Sequence, residues 1–161
     1  MIKKLITTLL LLFVFTQPSF SAGSTDSGSS KTDYEKAVKL IKQAKKYEQK
    51  GKEDKAQTRY EKALKFLIKS NKKIPNKPDT LNYLGFTTRK LGDFENGEKY
   101  YLEGLAIDPN HIGINEYLGE LYVSTNRIDL AKSRLKVLES CNCKEYNELK
   151  EIIDGTKKSK Y

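Results

Sequence analysis

From Thr32 onwards apolar residues return every three or four positions, the spacing of one helix face rather than the alternation of a strand. A first helix is predicted from Tyr34 to about Lys50, with Ala37, Leu40, Ile41, Ala44 and Tyr47 on its apolar face and Thr32 or Asp33 as its cap. Gly51 breaks it. A second helix is predicted from Lys52 to Lys73 on Ala56, Tyr60, Ala63, Leu64, Leu67 and Ile68, and Pro75-Asn76-Lys77-Pro78 then makes a rigid turn. Five more follow: Asp79 or Thr80 to Lys90, a fourth ending at Ala106, Gly113 to Ser124, Arg127 to Ser140, and Lys144 to Asp154. The class this predicts is all-α.

The helices recur in pairs. Leu84-Gly85 returns 34 residues later as Leu118-Gly119, and at the same offset Phe94 matches Ile128, Gly97 matches Ala131 and Tyr101 matches Leu135. A fixed period of this length signals stacked helix pairs, an α-solenoid, which offers surfaces for binding rather than an enclosed catalytic pocket. Gly85, Gly97, Gly104 and Gly119 lie inside predicted helices, where glycine costs up to about 1 kcal/mol against alanine. Close helix crossings are the expected return, with Gly97 facing Gly85 and Ala131 facing Gly119. Tyr60, Tyr101, Leu135, Phe94 and Ile128 are expected to fill the wider gaps.

The first residues follow a different pattern. Lys3 and Lys4 precede an apolar run from Leu5 to Phe15, then Pro18 and the small residues around Ser21, the layout of a secretory signal peptide. Cleavage is expected after Ser21 or Ala22, with Ser21 preferred because Ser19 and Ser21 then occupy the two recognised positions. The apolar run is short for a membrane span of about 20 residues, so no membrane span is expected in the mature form. Residues 22–32 read as flexible linker. The folded part is expected over residues 33–155, as repeats at about 37–77, 78–111 and 112–143 and a capping helix at 144–154, with a basic tail from 156 to 161.

Charge divides the chain unevenly. Residues 31–77 hold 16 Lys or Arg against 6 Asp or Glu, and residues 78–161 hold 12 against 14. A basic half can steer acidic partners, which for an exported protein means anionic lipid, cell-wall polymer or acidic protein. Nucleic acid is not expected. The plainer alternative is a solvated lysine face in a composition biased towards Lys, Ile and Asn.

Candidate chemistry is sparse. The chain has no glycine-rich phosphate loop, no nucleophile elbow and no HExxH, and His111 is its one histidine. Neither catalytic residues nor a cofactor are expected. Cys141-Asn142-Cys143 is the one reactive motif, open to a strained structural bridge, a redox-active pair, a Cu(I) site or an intermolecular disulfide. No resident metal is expected there. A structural or capping role is preferred.

These residues resemble the tetratricopeptide repeat proteins. The pattern is fullest from Pro78 to His111, in Leu81, Leu84-Gly85, Leu91-Gly92-Asp93-Phe94, Gly97, Tyr101, Gly104 and Asp108-Pro109-Asn110. The third repeat departs at its end, where Cys143 replaces the proline, and the first is about seven residues longer than the pattern. Asn82 to Phe86, Glu116 to Tyr122, the cysteine pair and Tyr146 to Leu149 are also similar to small exported repeat proteins of alphaproteobacteria. The resemblance implies a non-catalytic module of the bacterial periplasm that binds protein or peptide on a concave face formed by the first helix of each pair. It places Ile41, Lys45, Asn82, Phe86, Arg89, Lys90, Glu116 and Glu120 on that face, suited to acidic side chains or a C-terminal carboxylate. The full lysine-asparagine clamp of chaperone-binding members is not reproduced. Two other readings stay open: a homo-oligomeric scaffold stacking through terminal faces that carry Ile128, Leu130 and Tyr146, and a thiol-redox or copper protein built on Cys141 and Cys143.

Overall fold

The computed structural model describes residues 31–159. The expected signal peptide, nearly all of the expected linker and the last two residues of the basic tail lie outside them. Seven helices and no strand occur among the described residues: α1 (Asp33–Glu48), α2 (Glu53–Lys73), α3 (Pro78–Lys90), α4 (Phe94–Ile107), α5 (Ile112–Ser124), α6 (Ile128–Leu138) and α7 (Lys144–Ile153). α1 packs on α2, α3 on α4 and α5 on α6, and each pair meets the next through α2–α3 and α4–α5. The first helices also touch one another, α1 to α3 and α3 to α5, and α7 covers α5 and α6. The molecule is therefore an α-solenoid of helix pairs closed by a single helix.

The repeat reaches down to individual backbone bonds. Each pair closes through a left-handed residue just past its first helix: Gly51 (φ 63°), Gly92 (φ 92°) and Asn126 (φ 58°). In each turn the next residue's N–H reaches the carbonyl five residues back: Lys52 to Tyr47 at 2.9 Å, Asp93 to Thr88 at 3.2 Å and Arg127 to Tyr122 at 2.7 Å. This is a Schellman closure, which satisfies carbonyls that a helix end would otherwise leave open. Glycine at position 92 is required by that φ, which disfavours residues carrying a Cβ. Asparagine, the side-chain-bearing residue most tolerant of the region, serves at 126.

N-terminal caps fix where the helices begin. Thr32 forms a capping box with Glu35: its hydroxyl accepts from the Glu35 N–H at 3.2 Å, while the Glu35 carboxylate accepts from the Thr32 N–H at 2.8 Å. Asp93 caps α4 by accepting from the Asn96 N–H at 3.1 Å.

One core cluster joins Ala37, Ile41, Ala44, Ala56, Tyr60, Ala63, Leu67, Leu81, Leu84 and Phe86, and a second joins Tyr101, Leu105, Ile114, Leu118, Leu121, Tyr122 and Ala131. Tyr117 packs against both. Among the residues expected to be inside, Ile68 is 50% and Phe94 38% exposed, and Ile128 and Leu135 are half-buried. Ile68 sits at the margin of the α2 stripe, beside the fully buried Leu67. Phe94 is the first residue of α4 and has no preceding turn to shelter it.

The helical glycines permit close approach. A Cβ on Gly85 would lie 2.5 Å from the Tyr101 ring, and one on Gly97 would lie 3.1 Å from the Gly85 carbonyl oxygen. At Gly119 the nearest atoms belong to Leu149 of α7, at 2.5 Å, rather than to the expected Ala131.

Candidate functional site

α3 is the hub of the inner face because α1 and α5 flank it. Phe86 is buried at its centre, with the Tyr60 ring edge-on at 5.9 Å and the Tyr117 ring tilted at 5.1 Å. The Lys45 ammonium of α1 lies 4.3 Å above the Phe86 ring and 5.5 Å from the Tyr117 ring, and donates to the Tyr117 hydroxyl at 3.3 Å. A cation over an aromatic face is attracted by the ring quadrupole. One turn of α3 onward, Lys90 pairs with Glu48 of α1, whose second carboxylate oxygen accepts from the Tyr60 hydroxyl at 3.0 Å.

Deeper in, Arg89 donates to the Tyr117 carbonyl at 2.8 Å and to the Glu120 carboxylate at 3.3 Å. Both side chains of that pair are fully buried, with 0% exposure each. The pair ties α3 to α5, and buried charges of this kind depend on each other: removing one partner strands the other. The Tyr101 hydroxyl lies in the same region and has no hydrogen-bond partner among the described residues. Burial holds the phenols of Tyr60, Tyr101 and Tyr117 well above their usual ionisation range, helped by Glu48 at Tyr60 and Glu116 at Tyr117. Burial also pushes Tyr34 up to about 12. All four remain protonated donors at neutral pH.

Six of the eight residues expected to line an open concave face are buried: Ile41, Asn82, Phe86, Arg89, Glu116 and Glu120. Ile41 belongs to the core, and neither Asn82 nor Arg89 is a solvated helix residue. The side-chain amide of Asn82 lies 2.7 Å from where a Cβ on Gly113 would sit, so that glycine admits it. Lys45 and Lys90 are half-buried and keep an accessible edge. Sequence reasoning placed these residues by face and Tyr60 in the core, but not the contacts by which Glu48, Tyr60 and Tyr117 organise them. It also missed His111. Its Nδ1 accepts from the Ile114 N–H at 3.2 Å, capping α5, which leaves Nε2 to donate to Asp79 at 3.1 Å. Its place directly after Asp108-Pro109-Asn110, where a helix must begin, is the signal that was available.

Cys141 and Cys143 form a disulfide across the α6–α7 turn, where Asn142 takes a φ of 46°. Neither sulfur is a free thiolate in this state, and no cluster of three metal-ligating side chains occurs among the described residues. Of the residues considered for a terminal contact face, Leu130 is exposed, and Ile128 and Tyr146 are half-buried.

The architecture defines a class of helical repeat protein. Residues 79–111 match the tetratricopeptide repeat model, and the solved structures that the chain resembles include domains of that type. Among solved structures, the chain is similar to the first TPR domain of Spaghetti (RPAP3) bound to the HSP90 peptide SRMEEVD, at 23% identity over 78% of this chain and 96% of that one, with a TM-score of 0.53. It is similar to the first TPR domain of human RPAP3 at 22% identity, covering 78% and 98%, with a TM-score of 0.54. It is also similar to the Yersinia enterocolitica type III secretion translocator chaperone SycD at 15% identity, covering 73% and 81%, with a TM-score of 0.53. At these identities the likeness is one of fold. No curated protein matches the chain significantly.

Proposed function

We propose that this protein is a non-catalytic module that binds an acidic peptide segment along its inner face, in the periplasm. The observation that carries the reading is the juxtaposition of Lys45 and Lys90, both half-buried, with Phe86, Tyr117 and Tyr60. Cations backed by aromatic rings can take a carboxylate while the rings cover the adjoining apolar stem. The binding of an acidic HSP90 peptide by the first TPR domain of Spaghetti lends the reading support by analogy of fold. For the periplasm, the support is the signal-like sequence at residues 3–22 together with a disulfide, which persists in oxidising compartments.

The test is fluorescence polarisation against peptides ending in acidic residues, each with a free or an amidated C-terminus. Lys45→Ala combined with Lys90→Ala is expected to weaken binding at least tenfold; because Lys90→Ala also takes the cation from Glu48, the comparison is made at a temperature where circular dichroism shows parent and variant both fully folded. Substituting Asn82, Phe86 and Arg89 would disturb the interior and confuse lost binding with lost folding. Equal affinity of parent and double variant overturns the inner-face reading. The amidated peptides report whether the terminal carboxylate is part of what is recognised.

A further inference from the structure

At the turn end of the first helix pair, α1 and α2 enclose a cleft of about 250 Å³ lined by Gln43, Lys46, Tyr47, Lys50 and Arg59. Three of the five carry positive charge and none is acidic. Lys46 lies in the last turn of α1 and Lys50 in the turn that follows, and Arg59 faces them from α2 with its guanidinium carbon 6.0 Å from the centre of the Tyr47 ring. Elsewhere in this hairpin two carboxylates are committed: Asp33 holds Lys73 at 2.6 Å, and Glu48 holds Lys90. No ion pair or hydrogen bond from the side chains of Lys46, Lys50 or Arg59 occurs among the described residues. The Arg59 Nε–H in particular is buried without an acceptor. A buried donor left open costs free energy that an incoming acceptor recovers.

We propose that this cleft is a binding site for a phosphate group, separate from the inner face and independent of the reading given for it. The guanidinium offers a planar fork and the two ammonium groups act as movable point charges, an arrangement that serves the several oxygens of a tetrahedral anion. A lone carboxylate is satisfied by the guanidinium alone and leaves both lysines without a role. Tyr47 forms an apolar wall beside the charges, and the cleft has room for the group that carries the phosphate. The phosphate can belong to a lipid headgroup or to a soluble compound.

The experiment titrates inorganic phosphate into the full chain and follows the side-chain Nε–H resonance of Arg59. A saturable shift is expected. It should weaken at least tenfold in a variant carrying Lys46→Gln, Lys50→Gln and Arg59→Gln, followed through backbone resonances of α1. It should stay within about twofold of the parent in a variant carrying Lys62→Gln, Lys65→Gln and Lys69→Gln, which removes the same charge from elsewhere on α2. Equal weakening in both variants overturns the site in favour of diffuse attraction, and absence of a saturable shift overturns it outright. Vesicles of phosphatidylglycerol, with phosphatidylcholine as control, identify the source. Reversal of the phosphate shift by the former alone assigns a lipid headgroup, and no reversal assigns a soluble phosphate.

Discussion

Gly85 and Gly119 occupy the same station in successive helix pairs, yet different neighbours hold them small. At Gly85 the neighbour is Tyr101, a fully buried ring on the second helix of its own pair. At Gly119 it is Leu149, a branched aliphatic chain on the capping helix. The residue 34 positions after Tyr101 is Leu135, and it is only half-buried. The last pair thus lacks a large partner of its own, and α7 provides one. The inner face diverges at the same interval: Phe86 and Arg89 of α3 become Glu120 and Val123 of α5. An identical pair could not form the Arg89–Glu120 bridge, because the bridge needs its two halves on different helices. Divergence between repeats is what welds them.

The largest expected effect breaks that weld. Arg89→Met removes the guanidinium that faces the buried Glu120 carboxylate and should cost about 3–5 kcal/mol. Combining it with Glu120→Met should recover most of the loss. Urea denaturation of the three variants measures both, and a single-variant cost under about 1 kcal/mol would show that the pair is solvated.

A middle-sized effect sharpens the glycine comparison. Alanine gains about the same helix propensity at either site, so the difference between the two variants isolates the available space. Gly85→Ala drives a Cβ against a ring enclosed on all sides and should destabilise by about 1–3 kcal/mol. Gly119→Ala meets the tip of a flexible side chain on a terminal helix that can shift, and should cost less than about 1 kcal/mol. Equal costs would mean that α7 is held as firmly as the interior.

The smallest effect concerns the ring itself. The Tyr101 hydroxyl is buried without a partner among the described residues, so Tyr101→Phe should leave stability unchanged or raise it by up to about 1 kcal/mol. Thermal melts of the pair decide it, and a loss beyond 1 kcal/mol would reveal a bound water serving the hydroxyl.

The sequence displays the fold well because its signals are local. The 34-residue period, the glycine or asparagine past each first helix and the prolines between pairs all act within a few positions of themselves. The inner face is harder to see. Periodicity assigns Arg89 and Glu120 to a face, but their 3.3 Å contact spans 31 residues and depends on how closely α3 and α5 approach. The closeness is set by Tyr117 lying over Phe86, and nothing within either helix announces it. Ile68 and Phe94 keep the helical period at places that it does not bury, one at the margin of the α2 stripe and the other on the first residue of α4.

The placement of α7 also limits what the solenoid can become. Helix pairs stack head to tail, an arrangement with no intrinsic end point, and unprotected arrays of this kind can grow into filaments. Here Leu149 fills the socket above Gly119, and α7 covers the surface of α5 and α6 where another pair would seat. Stacking of a further pair on that end would first require peeling α7 away, so the capping helix works as a plug on that face.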